Sequence, residues 1–161
     1  AKSMPADEEP DFSEFMEQYG YDPAAREVVV NDAYYVDLTS TDTSNLYSYQ
    51  SLQTVIAGGG VDVLGADEMV FENLAQSGAI ADLTQYFSKD ELEQLKDYIF
   101  YVEDKDTGDT FAAGIRLGAG SWPVEHGYYE KECILGIALG SEHKEAAEQM
   151  FRYLLEKSNL D

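Results

Sequence analysis

The chain has 161 residues, 44% of them hydrophobic, with 10 basic against 32 acidic side chains and a formal net charge of −22. That length and apolar share suit one globular domain and exclude wholesale disorder. The charge excludes nucleic acid, whose phosphates need basic counter-charges, and disfavours anionic lipid; no run reaches the roughly 18 apolar residues of a membrane span.

Residues 1–10 are polar, with Pro5 and Pro10, and read as a flexible linker; residues 11–161 form a single α/β unit. Asp11 with Glu14 three positions on suits a capping box, and Phe12, Phe15, Met16 and Tyr19 form a stripe closed by Gly20. This short helix has to dock, or its aromatics would face water. Residues 27–38 are β-branched and aromatic and predict a strand, or two strands broken at Asn31 and Asp32. After the polar loop 39–44, Asn45 starts a helix with Leu46, Tyr49, Leu52 and Ile56 on one face, stopped by Gly58, Gly59 and Gly60.

Residues 61–64 are a short apolar strand. The turn 65–68 then opens a helix that Gly78 ends, and residues 79–83 return as a further strand. Strand, helix, strand is the grammar of a βαβ unit, and ligands of such sheets bind beyond the carboxyl ends of the strands. Ser88 and Glu91 form a second capping box for a helix through about Lys96. Residues 98–103 and 110–117 read as a hairpin around the turn 104–109, which contains Gly108. A loop to Glu132 follows, then a return strand at 134–139. Ser141 caps a last helix carrying Ala146, Ala147, Met150, Phe151, Leu154 and Leu155 on one stripe.

The run from Val55 to Phe87, the hairpin with Gly108, Phe111, Gly114 and Ile115, and the final amphipathic helix together resemble one lobe of the solute-binding proteins that serve ABC-type importers, especially the sugar-binding branch. The likeness covers residues 45–156. Two departures stand out: Arg116 occupies the place of the family's proline, and only residues 118–132 stand where a complete member would build its second lobe. The resemblance implies a three-layer αβα sandwich with a mixed, mostly parallel sheet, residues 61–64 central, as a single periplasmic-binding-protein-like lobe. It also implies a non-enzymatic module displayed outside the cell or at its surface, anchored by a segment upstream of these residues. Its partner would be a small solute such as a saccharide, held weakly for want of a second lobe, or a protein or polymer.

The sequence carries no complete nucleophile-elbow, phosphate-loop or metal-ligand signature. Neither Gly120-Ser121-Trp122 nor Gly140-Ser141-Glu142 is a hydrolase elbow, and Gly58 to Gly60 lie after a helix, where a phosphate loop does not belong. His126 and His143 stand alone, so no metal ligand set and no cofactor is expected. The turn 104–109 has its glycine one place early for a calcium loop, and Ile115 stands where the last glutamate belongs. A carboxylate pair including Asp67 keeps a glycan-active enzyme as the alternative, and a structural or assembly domain is a third. Cys133, the lone cysteine, lies in an apolar run and reads as a buried thiol. The candidate ligand-binding residues are Thr39, Thr43, Asp67, Glu68, Arg116 and Trp122, on loops that would converge at one end of the sheet. Asp67 is equally a helix cap, and Trp122 is either a lid over the sheet end or a stacking platform.

Overall fold

The structure is a computed structural model that describes residues 11–30, 43–129, 131–158 and 160. In chain order the elements are α1 (Ser13–Gln18), α2 (Thr43–Ala57), β1 (Val63–Ala66), α3 (Glu68–Gln76), a 3-10 turn (Leu83–Gln85), α4 (Lys89–Gln94), β2 (Ile99–Glu103), β3 (Thr110–Leu117), α5 (Trp122–Glu125), β4 (Cys133–Ile137) and α6 (Lys144–Glu156). The strands form one sheet in the order β1-β4-β3-β2, and every pairing is antiparallel.

This overturns the mostly parallel sheet of an αβα sandwich. The physical reason lies in β4. Its residues are buried along its whole length, so it takes an interior position, between β1 and β3. The chain after α3 does come back to the sheet, through an antiparallel bridge from Ile80 to Ala138. β1 and this bridge therefore run the same way, but β4 stands between them and pairs antiparallel with both. β1, expected to be central, is terminal in the sheet of described residues, and it starts two positions later than the sequence suggests. Of the expected strand at 27–38, residues 27–30 have no regular structure and 31–38 lie outside the described residues.

The pleat of β4 divides the core. Cys133, Leu135 and Ile137 face one cluster with α1 (Phe15, Met16), Leu83 of the 3-10 turn, and α6 (Ala147, Phe151, Leu154). Ile134 and Ala138 face the other, with α2 (Tyr49, Leu52, Ile56) and α3 (Val70, Phe71, Leu74). On that second side Phe71 lies directly on the sheet. A Cβ at Gly114 would come within 2.6 Å of its ring, and one at Gly136 within 2.7 Å. Close approach of α3, joined at Gly114 by Ile134 and the Leu135 carbonyl of β4, each at 2.8 Å, demands glycine here, rather than an unusual backbone angle.

Several local signals act as the sequence suggests. Ser88 and Glu91 form the capping box of α4, Asp67 caps α3, and Gly59 (φ +80°) and Gly78 (φ +87°) close α2 and α3. Two caps differ. Asp11 accepts from the Ser13 amide while Phe12 holds the N-cap position of α1. Ser141 instead joins the turn before α6 to Asp62, donating its hydroxyl at 2.6 Å. Leu46, expected on the inner face of α2, is exposed.

Candidate functional site

One end of the sheet gathers the carboxyl ends of β1 and β3 with the amino end of β4. Arg116 lies opposite Ile134, so Glu132, two residues earlier on the same face, is its diagonal neighbour. The guanidinium reaches Glu132 Oε1 at 3.0 Å through Nη1 and Glu68 Oε1 at 3.3 Å through Nη2. Beneath it the Phe100 ring centre is 5.4 Å away, within range of a cation–π contact. The Arg116 side chain is 36% exposed and its two carboxylates more than half, so these are solvent-screened pairs that add little stability.

Around this trio the backbone is held from two directions. Asp67 accepts from the Val70 amide at 2.9 Å and starts α3, which fixes Glu68 at the rim. Tyr129 donates its hydroxyl to the Gly65 carbonyl at 2.6 Å, tying the connection between β3 and β4 to the outer edge of β1. Burial, helped by Cys133 and Asp67 nearby, pushes the Tyr129 phenol well above its usual range, so it stays a neutral donor. Burial likewise pushes the Cys133 thiol up to about 12, with Glu132 adding to the effect, which makes it an inert core group.

The six residues singled out from sequence separate here. Asp67, Glu68 and Arg116 come together at this end. Thr43 is the exposed first residue of α2, and Thr39 lies outside the described residues. Trp122 sits half-buried on the α1 and α6 side. Its indole is 5.5 Å from Phe12, stacks on His126 at 4.2 Å, and its backbone amide donates to Ser158 Oγ at 3.0 Å. The lid reading of Trp122 fits these contacts better than a stacking platform, because Phe12, His126 and Tyr128 already meet its ring. Sequence reasoning missed Glu132, Tyr129 and Phe100. Only the antiparallel register of β3 and β4 could have paired Arg116 with Glu132.

No family model, curated protein or solved structure matches this chain. At the far end of the sheet an open cleft of about 300 Å³ lies between Ile80, Phe111 and Leu139 and the carboxylates of Asp82, Asp104 and Asp109. There Asp82 accepts from Thr84, and Asp104 accepts from the amides of Asp106 and Thr107, as turn-forming aspartates do. Among the described residues no group of three or more His, Cys, Asp or Glu is placed to hold a metal ion, and no helix is long and apolar enough to cross a membrane.

Proposed function

We propose that this chain is a non-enzymatic binding module displayed outside the cell. It meets its partner at the sheet end around Arg116. The observation that carries this reading is the arrangement of Arg116 between Glu68 and Glu132 over Phe100. It places donors, acceptors and an aromatic face together on an open surface. The non-catalytic half is supported by the carboxylates there: Asp67 is committed to its helix cap, and Glu68 and Glu132 to the guanidinium. Among the described residues this end is an open surface with its charged side chains exposed, so weak binding of a small solute, or a flat contact with a protein or polymer, suits it.

A thermal-shift screen over saccharides, amino acids and peptides, followed by calorimetry on any hit, tests the proposal. Arg116→Ala is expected to abolish the hit while changing the melting temperature little, because its ion pairs are exposed. A hit indifferent to Arg116→Ala would move the site elsewhere. Turnover of a glycan would favour the enzymatic alternative.

A further inference from the structure

The open cleft of about 300 Å³ at the end of the sheet away from Arg116 joins an apolar floor to an acidic rim. Ile80, Phe111 and Leu139 make the floor. Ile80 is fixed by its antiparallel bridge to Ala138, and the Leu139 amide donates to the Ala79 carbonyl at 2.9 Å. Leu139 is nonetheless 44% exposed, a large aliphatic side chain left in water at a position the backbone holds. The rim comes from two turns. Asp104 and Asp109 stand at the ends of the hairpin turn, where the Asp104 amide donates to the Asp109 carbonyl at 2.9 Å, and Asp82 opens the 3-10 turn.

A helix end adds to the negative charge. Ala75 and Gly78 line the cleft where α3 finishes, and the carboxyl end of a helix carries a partial negative charge that favours cations. The last turn of α3 holds no basic residue, and none of the described residues lining the cleft is basic. Lys105 is the one base of the turn 104–109, against Asp104, Asp106 and Asp109. Among the described residues no group of three such side chains is placed to hold a metal ion, so the cleft suits an extended cation better than a point charge. Lysine and arginine have that form, an apolar stem that lies on carbon and a charged head that reaches out. A free amine would make only exposed ion pairs here, which are weak. A peptide adds apolar contact at Leu139, and the net charge of −22 draws a basic one in.

We propose that this cleft docks a basic peptide segment of a partner protein. One lysine or arginine side chain lies along Ile80, Phe111 and Leu139, with its head among Asp82, Asp104 and Asp109. The groove is at the opposite end of the sheet from Arg116, so it stands whether or not that end binds a partner of its own.

The probe is a fluorescent octapeptide of alternating lysine and alanine, titrated by anisotropy at about 0.15 M salt to screen long-range attraction. In the isotope-labelled wild-type chain, the amide signals of Ile80, Asp82, Gly108, Phe111 and Leu139 are expected to shift with the peptide, and those of Arg116 and Glu132 to stay. Asp104→Asn combined with Asp109→Asn keeps the Oδ1 acceptor that Asp104 gives its turn, and should weaken binding about tenfold. Glu17→Gln combined with Glu156→Gln removes the same charge from exposed positions on α1 and α6, and should weaken it by less than about twofold. Leu139→Ser changes no charge and should weaken it about threefold. Equal losses from the two paired variants would overturn the groove, because net charge alone would then attract the peptide. Absence of binding, or shifts centred on Arg116, would overturn it as well. Free diaminopentane binding as tightly as the peptide would make the cleft a small-amine site and end the case for a protein partner. The shift map needs only the wild-type chain, and melting temperatures confirm that each variant is folded.

Discussion

Arg152 shows how much one side chain organises here. Its Nε meets Glu148 at 2.9 Å, its Nη1 bonds Glu91, its Nη2 donates to the Tyr86 carbonyl at 2.6 Å, and its guanidinium lies 4.2 Å from the Phe87 ring centre. It thereby pins α4 and the 3-10 turn to α6. Glu91 is doubly used, since it also accepts from the Ser88 amide in the capping box. The Arg152 hydrogen bond first, and the Ser88 amide second, lower the Glu91 carboxyl from its usual 4.5 to about 2. A depressed folded pKa stabilises above the unfolded value and is lost as pH falls through the folded one. The window is thus from pH 4.5 down to about 2. The carboxylate is 40% exposed, so solvent screening reduces the gain to about 1 kcal/mol. Glu91→Gln should lower stability by that amount near neutrality and flatten the acid limb of a denaturation series across this window. An unchanged acid limb would count against the pairing.

At the scale of elements, the decisive contact is α3 against the centre of the sheet. Gly114 and Gly136 are neighbours across β3 and β4, and Phe71 fills the space above both. Gly136→Ala puts a methyl group into the Phe71 ring, and overpacking of this kind costs about 1–3 kcal/mol. Phe71→Ala should cost about 3–5 kcal/mol, because the ring is fully buried. The two changes should not add: with the ring gone, the extra methyl loses its closest collision, and only the Ala113 carbonyl at 3.2 Å still crowds it. Urea melts of the single and double variants measure this, and simple additivity would show that Phe71 is not what excludes a side chain at residue 136. Asp67→Ala, by contrast, removes only a cap, at about 1 kcal/mol.

For the molecule as a whole, charge dominates. With 32 acidic and 10 basic side chains, the folded chain gathers far more repulsion than its surface ion pairs relieve. Added salt screens both, but repulsion is spread over the whole surface, and the pairs among the described residues are mostly exposed. The melting temperature is therefore expected to rise as sodium chloride is increased from about 0.01 M to about 0.15 M, where the Debye length falls from about 30 Å to about 8 Å. A melting temperature that falls over this range would mean that pairs such as Arg152 with Glu91 outweigh the repulsion. The same charge bears on function, because any partner at the Arg116 end must approach through a negative field.

What sequence alone determined was local. Capping chemistry marked the starts of α3 and α4, glycines marked the ends of α2 and α3, and residues 110–117 were read as the strand that became β3. These signals depend on neighbours a few residues away, so one chain suffices to read them. Tertiary structure alone decided which strands lie side by side. Residues 61–64, the helix after them and residues 79–83 have the order of a βαβ unit, and nothing in that order reveals that β4, from far along the chain, enters between the two ends. The site shares this division. Asp67, Glu68 and Arg116 were singled out near the ends of expected strands, but Glu132 and Tyr129 joined them only through the antiparallel register and the fold of the connection. Trp122 was drawn to α1 and α6 by the apolar surface those helices offer, a contact between segments that no periodicity encodes.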